Sequence, residues 1–417
     1  MEREVLVYIE LGGTSQLVGR LWARTRRDRD SSSFEYDEAC LAHPDRFSVE
    51  PALKLGPGPF HTQPGRLLFG SIGDSAPDRW GRILMRRAER RRAQLQEQTP
   101  RTLREIDFLL QVDDEARLGA LRFAEYEGGP FLAEPRPARI PPLIELPRLF
   151  SAADRVLSDT ESDADLRLLL APGSSLGGAR PKASVRDGDG HLSIAKFPSK
   201  EDEYNTVLWE SLALTLAAKA DIAVPDFRVE LVAGKAVLLL RRFDREDGFR
   251  LPFLSAMSML EAKDNETRSY MEFADVLRQH GAEPKQDIRA LWRRIVFNVL
   301  ISNTDDHLRN HGFLYDHPHG WRLSPAYDLN PVPADIKPRI LSTAIDMDDT
   351  TASLSLALDV APYFELTREQ AYAIASEVGR VVATWRLEAT KIGLQKKEID
   401  RMASAFEHND LKTAIKG

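Results

Sequence analysis

The sequence predicts an α+β fold with a β-rich beginning and a mostly helical end, and three observations carry that prediction. Val5 to Leu11 meets Gly12-Gly13 and then Gln16 to Trp22, which reads as two short strands around a glycine turn. Strand-like and helix-like apolar patterns alternate through the middle of the chain until about Asp328. From about Leu354 the spacing turns helical, as in Ala371, Ile374, Ala375 and Val378 at i, i+3, i+4 and i+7.

At roughly 100–200 residues per domain, a chain of 417 residues should hold two or three domains. Hydrophobic residues at 42% and charged residues at 29% place it among folded globular proteins and exclude a largely disordered chain. The formal charge is −7, so any contact with nucleic acid has to come from a local patch. The one cysteine, Cys40, rules out an intramolecular disulfide and a thiolate zinc cage, and it fits a reducing cytoplasm. No signal-peptide pattern opens the chain, and no apolar run reaches the ~18 residues that a spanning helix needs. A soluble cytoplasmic protein without membrane contact is expected.

Between Arg79 and Arg92 seven arginines stand beside Trp80, Ile83, Leu84 and Met85. This reads as a basic helix with Ser75 as N-cap and Pro77 in the first turn. Its arginines form either a solvated face or a surface for an anion, a partner or nucleic acid. The stretch EGGPFLAEPRPARIPPLIELP is too rich in proline and glycine for a helix or a central strand. The expected division is therefore a β-rich region over 1–126, a linker over 127–147, a small mixed lobe over 148–245 and a mostly helical lobe over 246–417.

The first constellation with chemical content runs from Gly173 to Lys182 as GSSLGGARPK. Its glycines let backbone N–H groups converge on an anion, and Arg180 or Lys182 can add positive charge. Without a closing Gly-Lys-Ser/Thr it is not a Walker A loop. A hairpin turn at Asp187 to Gly190 leads into the strand His191 to Phe197, where Lys196 shares a face with Leu192 and Ile194. A lysine on an inward face requires an anionic partner, and Glu203 or Glu210 of the next helical stretch is a candidate. Two strands then lead to Arg241-Arg242-Phe243-Asp244-Arg245. Glycine loop, hairpin, lysine strand, helix and two strands follow one another as in the small lobe of a kinase.

The second constellation is Asn303-Thr304-Asp305-Asp306-His307-Leu308-Arg309-Asn310, followed by a predicted hairpin and Ala326-Tyr327-Asp328-Leu329-Asn330. An acid, an amide five residues later and a second acid after a hairpin match the needs of phosphoryl transfer. One carboxylate accepts the proton of the attacking hydroxyl, and further oxygens hold magnesium against the nucleotide phosphates. Asp305 is placed to be the base, and Asn310 and Asp328 to be metal ligands. Arg309 can neutralise charge that develops on the transferred group. His307 reads as a residue that holds the loop backbone rather than a metal ligand.

With these pieces in hand the chain resembles the HipA family of bacterial serine/threonine kinases, toxins of toxin–antitoxin modules, over nearly its whole length. The matching blocks are Leu67 to Arg82, Asp107 to Phe123, SSLGGARPK, IAKFP, LLRRFDR, NTDDHLRN and AYDLNP, in family order. The resemblance implies a two-lobed protein-kinase-like fold, ATP and Mg2+ as cofactors, Asp305 as base, and Asn310 and Asp328 as metal ligands. It also implies nucleotide contacts from Ser175, Leu176, Gly177, Gly178, Ala179, Lys182, Lys196, Arg241, Phe243 and His307. Ser175, with Ser174 beside it, stands where a family loop serine is autophosphorylated to switch the kinase off. The implied partners are a HipB-like helix-turn-helix antitoxin, DNA mainly through that antitoxin, and a protein substrate such as glutamyl-tRNA synthetase or another aminoacyl-tRNA synthetase. The sequence departs from the family pattern at Arg180-Pro181, Arg241 and Arg309. Two other readings stay open: a small-molecule or lipid phosphotransferase, and a catalytically weak co-repressor that uses the Arg79 to Arg92 surface.

Overall fold

The computed structural model describes residues 2–26, 29–64, 66–133, 140–170, 178 and 180–416. The chain divides into two compact units, Met1–Lys200 with Glu230–Leu254, and Glu201–Val229 with Ser255–Gly417. The kinase-like α+β class predicted from the sequence is the class observed.

The first unit opens with the predicted hairpin, whose strands run longer than the apolar pattern, Glu2–Leu11 and Thr14–Arg26. The turn depends on glycine at Gly13, where φ is +80° and an added Cβ would lie 2.8 Å from the Phe249 ring. Strands Arg29–Tyr36, Phe60–His61 and Leu121–Ala124 complete a five-stranded sheet, the last pairing antiparallel with the first strand. Val5, Val7 and Ile9 project at alternate positions into a core with Phe34, Phe69 and Phe123. Residues on both sides of the proline-rich 127–147 stretch belong to this one unit.

A second sheet in this unit orders its strands as Lys182–Arg186, Leu192–Lys196, Lys235–Arg241 and Phe227–Val232. The basic helix, Arg79–Leu95, belongs to the core of this sheet: Trp80 and Leu84 pack with Val185, Ala195, Phe197 and Val237. Its N-cap is Asp78 and not Ser75: Asp78 Oδ1 accepts the N–H of Gly81, whereas Ser75 closes the preceding short helix and donates its hydroxyl to the carbonyl of Ile72.

The second unit is built on helices Thr206–Lys219, Tyr270–His280, Pro284–Leu300, Arg368–Val382 and Asn409–Lys416, with a hairpin of Gly312–Asp316 and Gly320–Leu323. The helix Thr206–Lys219 belongs to this unit. It is apolar around most of its circumference, so it needs neighbours on several sides. Trp209 packs beside Trp385 and Phe406 and donates its Nε1–H to Glu398. No helix among the described residues is long and apolar enough to cross a membrane.

Candidate active site

The helix Pro284–Leu300 ends as its pattern requires, and the chain enters a loop at Ser302 with φ +52°. A left-handed residue that is not glycine is held there at a cost of about 1–3 kcal/mol. The Ser302 hydroxyl donates to the carbonyl of Ala405 and accepts from Arg339 Nε, which fixes that conformation. Asn303 returns its N–H to the carbonyl of Asn298 and its side-chain amide to Asn298 Oδ1.

Two adjacent aspartates then take opposite roles. Asp305 is exposed, and its carboxylate has no hydrogen-bond partner among the described residues. Asp306 is 1% exposed, and its oxygens accept from the Tyr270 hydroxyl at 2.5 Å and from the Ser342 N–H at 2.7 Å. Burial pushes the Asp306 carboxyl up to about 6 even though these donors pull the other way. Its carbonyl faces His311 Nε2 at 3.2 Å, and burial lowers His311 to about 3, so the ring is a neutral Nε2–H donor.

Asn310 is 5% exposed; its amide nitrogen donates to the carbonyl of Asp305 at 2.7 Å, while its Oδ1 is buried without a hydrogen bond. A buried carbonyl oxygen left open in this way suits a hard cation that takes oxygen ligands. The second acid, Asp328, lies at φ +57° and is joined to the loop by two contacts. Asn330 N–H donates to Asn303 Oδ1 at 3.1 Å, and the Tyr327 hydroxyl donates to the carbonyl of Arg309 at 2.8 Å. The structure thus brings the 303–310 and 327–330 segments together, as a shared site requires.

The other named residues fall in different places. Arg309 is half-exposed and meets Asp264 at 3.0 Å, a surface pair worth about 0–1 kcal/mol and easily exchanged. His307 holds the loop through its carbonyl, which accepts from Asn310 N–H. Lys196 is buried at the end of its strand. Glu203, one of the two candidate acids, pairs with Arg401 at 2.7 Å. Lys182 is 2% exposed, and its ammonium is ion-paired to Asp78 at 2.7 Å. The carbonyl of Gly178 accepts from Trp80 N–H, while Ser174, Ser175, Leu176, Gly177 and Ala179 lie outside the described residues.

Arg241 and Phe243 are partly exposed, whereas Arg242 and Asp244 between and after them are fully buried and ion-paired. Arg242 donates to the carbonyls of Ala116 and Arg117, and Gly119 N–H donates to Asp244. Sequence reasoning missed this clamp onto the 114–119 segment, together with Asp306, Tyr270 and His311. The signal available for Arg242 and Asp244 was their period-two spacing at the end of a buried strand. A cluster of Asp187, Asp189 and His191 in the turn between strands Lys182–Arg186 and Leu192–Lys196 is explained by Asp187 Oδ1 accepting the N–H groups of residues 189 and 191.

A kinase-like fold bearing an acid–amide loop beside a second acid defines the class of this protein. The chain belongs to the HipA family, since the profile described as HipA-like C-terminal domain matches residues 174–385. Curated relatives are called putative kinases. Y4mE of Sinorhizobium fredii is 26% identical over 344 residues, 75% of each chain. A Haemophilus influenzae protein is 25% identical over 180 residues, 38% of this chain and 52% of its own. A solved Shewanella oneidensis complex of HipA, HipB and operator DNA has the same fold, with a TM-score of 0.65 at 16% identity over 98% of this chain and 96% of that one.

Proposed function

We propose that this chain is a HipA-like serine/threonine protein kinase that moves the γ-phosphate of ATP to a hydroxyl of another protein. Asn310 carries the reading: its nitrogen holds the backbone of Asp305, its oxygen is buried and open, and the neighbouring Asp305 carboxylate stands in solvent. Asn310 and Asp328 would hold Mg2+, which when bound neutralises phosphate charge. Asp305 takes the proton of the acceptor hydroxyl as its oxygen bonds to the γ-phosphorus and the bond to the β–γ bridging oxygen breaks, leaving ADP. Lys196 contacts the phosphates, Arg241 and Phe243 border the adenine, and Arg309 leaves Asp264 to meet the transferred group. Phosphorylation of Ser175 adds about −1.5 to −2 charges and opposes ATP binding.

The proposed partners are a HipB-like antitoxin, operator DNA reached mainly through it, and an aminoacyl-tRNA synthetase as substrate. The Shewanella complex of the same fold supports the first two. Incubation of the purified chain with labelled Mg-ATP, alone and with synthetases, tests the reading. Label in the chain or in a synthetase, lost in Asp305→Ala, is the expected result; no label in either overturns it.

One observation favours a co-repressor reading beside this one. Arg79, Arg86 and Arg90 share a face of the basic helix, are exposed, and have no ionic partner among the described residues. Operator binding that ignores nucleotide, with no phosphoryl transfer, would select that reading.

A further inference from the structure

We infer that the start of the basic helix is a positioning element for the phosphate-contacting edge of the second sheet, with Asp78 and Trp80 as its positioning residues. The inference rests on the phosphotransfer reading above and gives the N-terminal region a part in nucleotide binding.

The contacts are specific and buried. One Asp78 oxygen caps the helix by accepting Gly81 N–H at 2.8 Å, and the other meets the Lys182 ammonium at 2.7 Å. Trp80, 1% exposed, donates its Nε1–H to the carbonyl of Lys182 at 3.0 Å and its backbone N–H to the carbonyl of Gly178 at 3.4 Å. Two side chains and one backbone group of the helix start therefore hold Gly178 and Lys182.

Lys182 is in turn the direct cross-strand partner of Lys196 in the antiparallel register. Directly opposed side chains lie on one face with Cβ atoms roughly 4.5–5.5 Å apart, and like charges there repel. Asp78 neutralises Lys182, so the strand can carry a second lysine opposite it. An apolar residue at position 182 would satisfy the core with no desolvation cost. The buried pair instead sets the position of the strand end that lies opposite Lys196.

The test measures affinity of the full chain for a fluorescent ATP analogue with Mg2+, and KM and kcat for ATP in phosphoryl transfer. Trp80→Phe keeps an aromatic ring in the core and removes the donor to Lys182; Asp78→Asn keeps a cap acceptor and removes the charge. We expect either variant to weaken nucleotide binding and raise KM roughly tenfold, about 1.4 kcal/mol, with kcat within about twofold of wild type. A purely structural role would lower the melting temperature and leave KM unchanged. Wild-type affinity and KM in folded Trp80→Phe overturn the inference whether or not Asp78→Asn folds. Failure of the unmodified chain to bind the analogue overturns the phosphotransfer reading itself, and the inference with it.

Discussion

The Tyr270 hydroxyl donates to Asp306 Oδ2 at 2.5 Å, and Asn298 Nδ2 donates to the same hydroxyl at 3.0 Å. This chain of buried polar groups links two helices to the loop that presents Asp305. Thr343 adds a hydroxyl donor to the Asp306 carbonyl at 2.6 Å, so the loop is held from the 342–343 segment as well. A fully satisfied buried network of this kind fixes geometry, and deleting one member leaves the others short of partners.

Tyr270→Phe should therefore destabilise the chain by about 1–3 kcal/mol, the cost of leaving a buried acceptor unsatisfied. Chemical denaturation measures it. Phosphoryl transfer should fall in the same variant, because the neighbouring Asp305 loses its fixed backbone. Unchanged stability would show that the network is not under load.

The pH dependence of stability follows from Asp306. Its folded value of about 6 lies above the ordinary 3.8, so between these values the native state binds the proton that the unfolded state releases. The contribution is complete below about pH 4 and is lost as pH rises through 6, by about 3 kcal/mol in all. In Asp306→Asn that part of the slope should vanish. Parallel stability curves for the two proteins between pH 4 and 6.5 would contradict it.

Asp305→Asn should leave stability within about 0.5 kcal/mol of wild type, since the exposed side chain has no hydrogen-bond partner among the described residues. Transfer to the acceptor should drop by roughly 10²–10⁴, the range of a lost general base. Denaturation and a labelled-ATP assay on one preparation separate the two effects.

Asn310→Ala removes both the open oxygen and the donor to the carbonyl of Asp305. The Mg2+ concentration for half-maximal activity should rise at least several-fold, and saturating Mg2+ should recover only part of kcat. A magnesium titration of initial rates reads both quantities, and an unchanged midpoint would take Asn310 out of the metal site.

In the first unit, Asp244→Asn leaves the buried Arg242 without its carboxylate and weakens the bond from Gly119. Removing one partner of a buried pair costs about 3–5 kcal/mol. At roughly 2–4 °C per kcal/mol in a unit of this size, the melting temperature should fall by about 6–20 °C. A shift under a degree would mean that the clamp on the 114–119 segment contributes little.

Local chemistry made much of this legible. The opening hairpin was written in Val5 to Leu11 and the double glycine, because alternation and a positive-φ turn are properties of neighbours. The Asp305 to Asn310 spacing was legible for the same reason, since a short loop brings residues five apart into contact. The cap of the basic helix falls at Asp78 and not at Ser75: two capping residues stand three apart, and only the end of the preceding helix at Ser75 decides between them. The neighbours of helix Thr206–Lys219 were not legible, because its apolar surface extends over most faces, a pattern that announces burial without naming the neighbour.

By itself the sequence determined the α+β class, the strands and helices around each motif, and which polar residues stand on loops rather than inside regular elements. Periodicity and turn chemistry act over a few residues, so they can be read from one. The tertiary structure alone decided which of two adjacent aspartates is buried, that Asn310 spends its nitrogen and keeps its oxygen, and that Lys182 faces Asp78 a hundred positions away. Those outcomes depend on which surfaces meet when apolar faces are buried, and a pairing across such distances leaves no local periodicity in the chain.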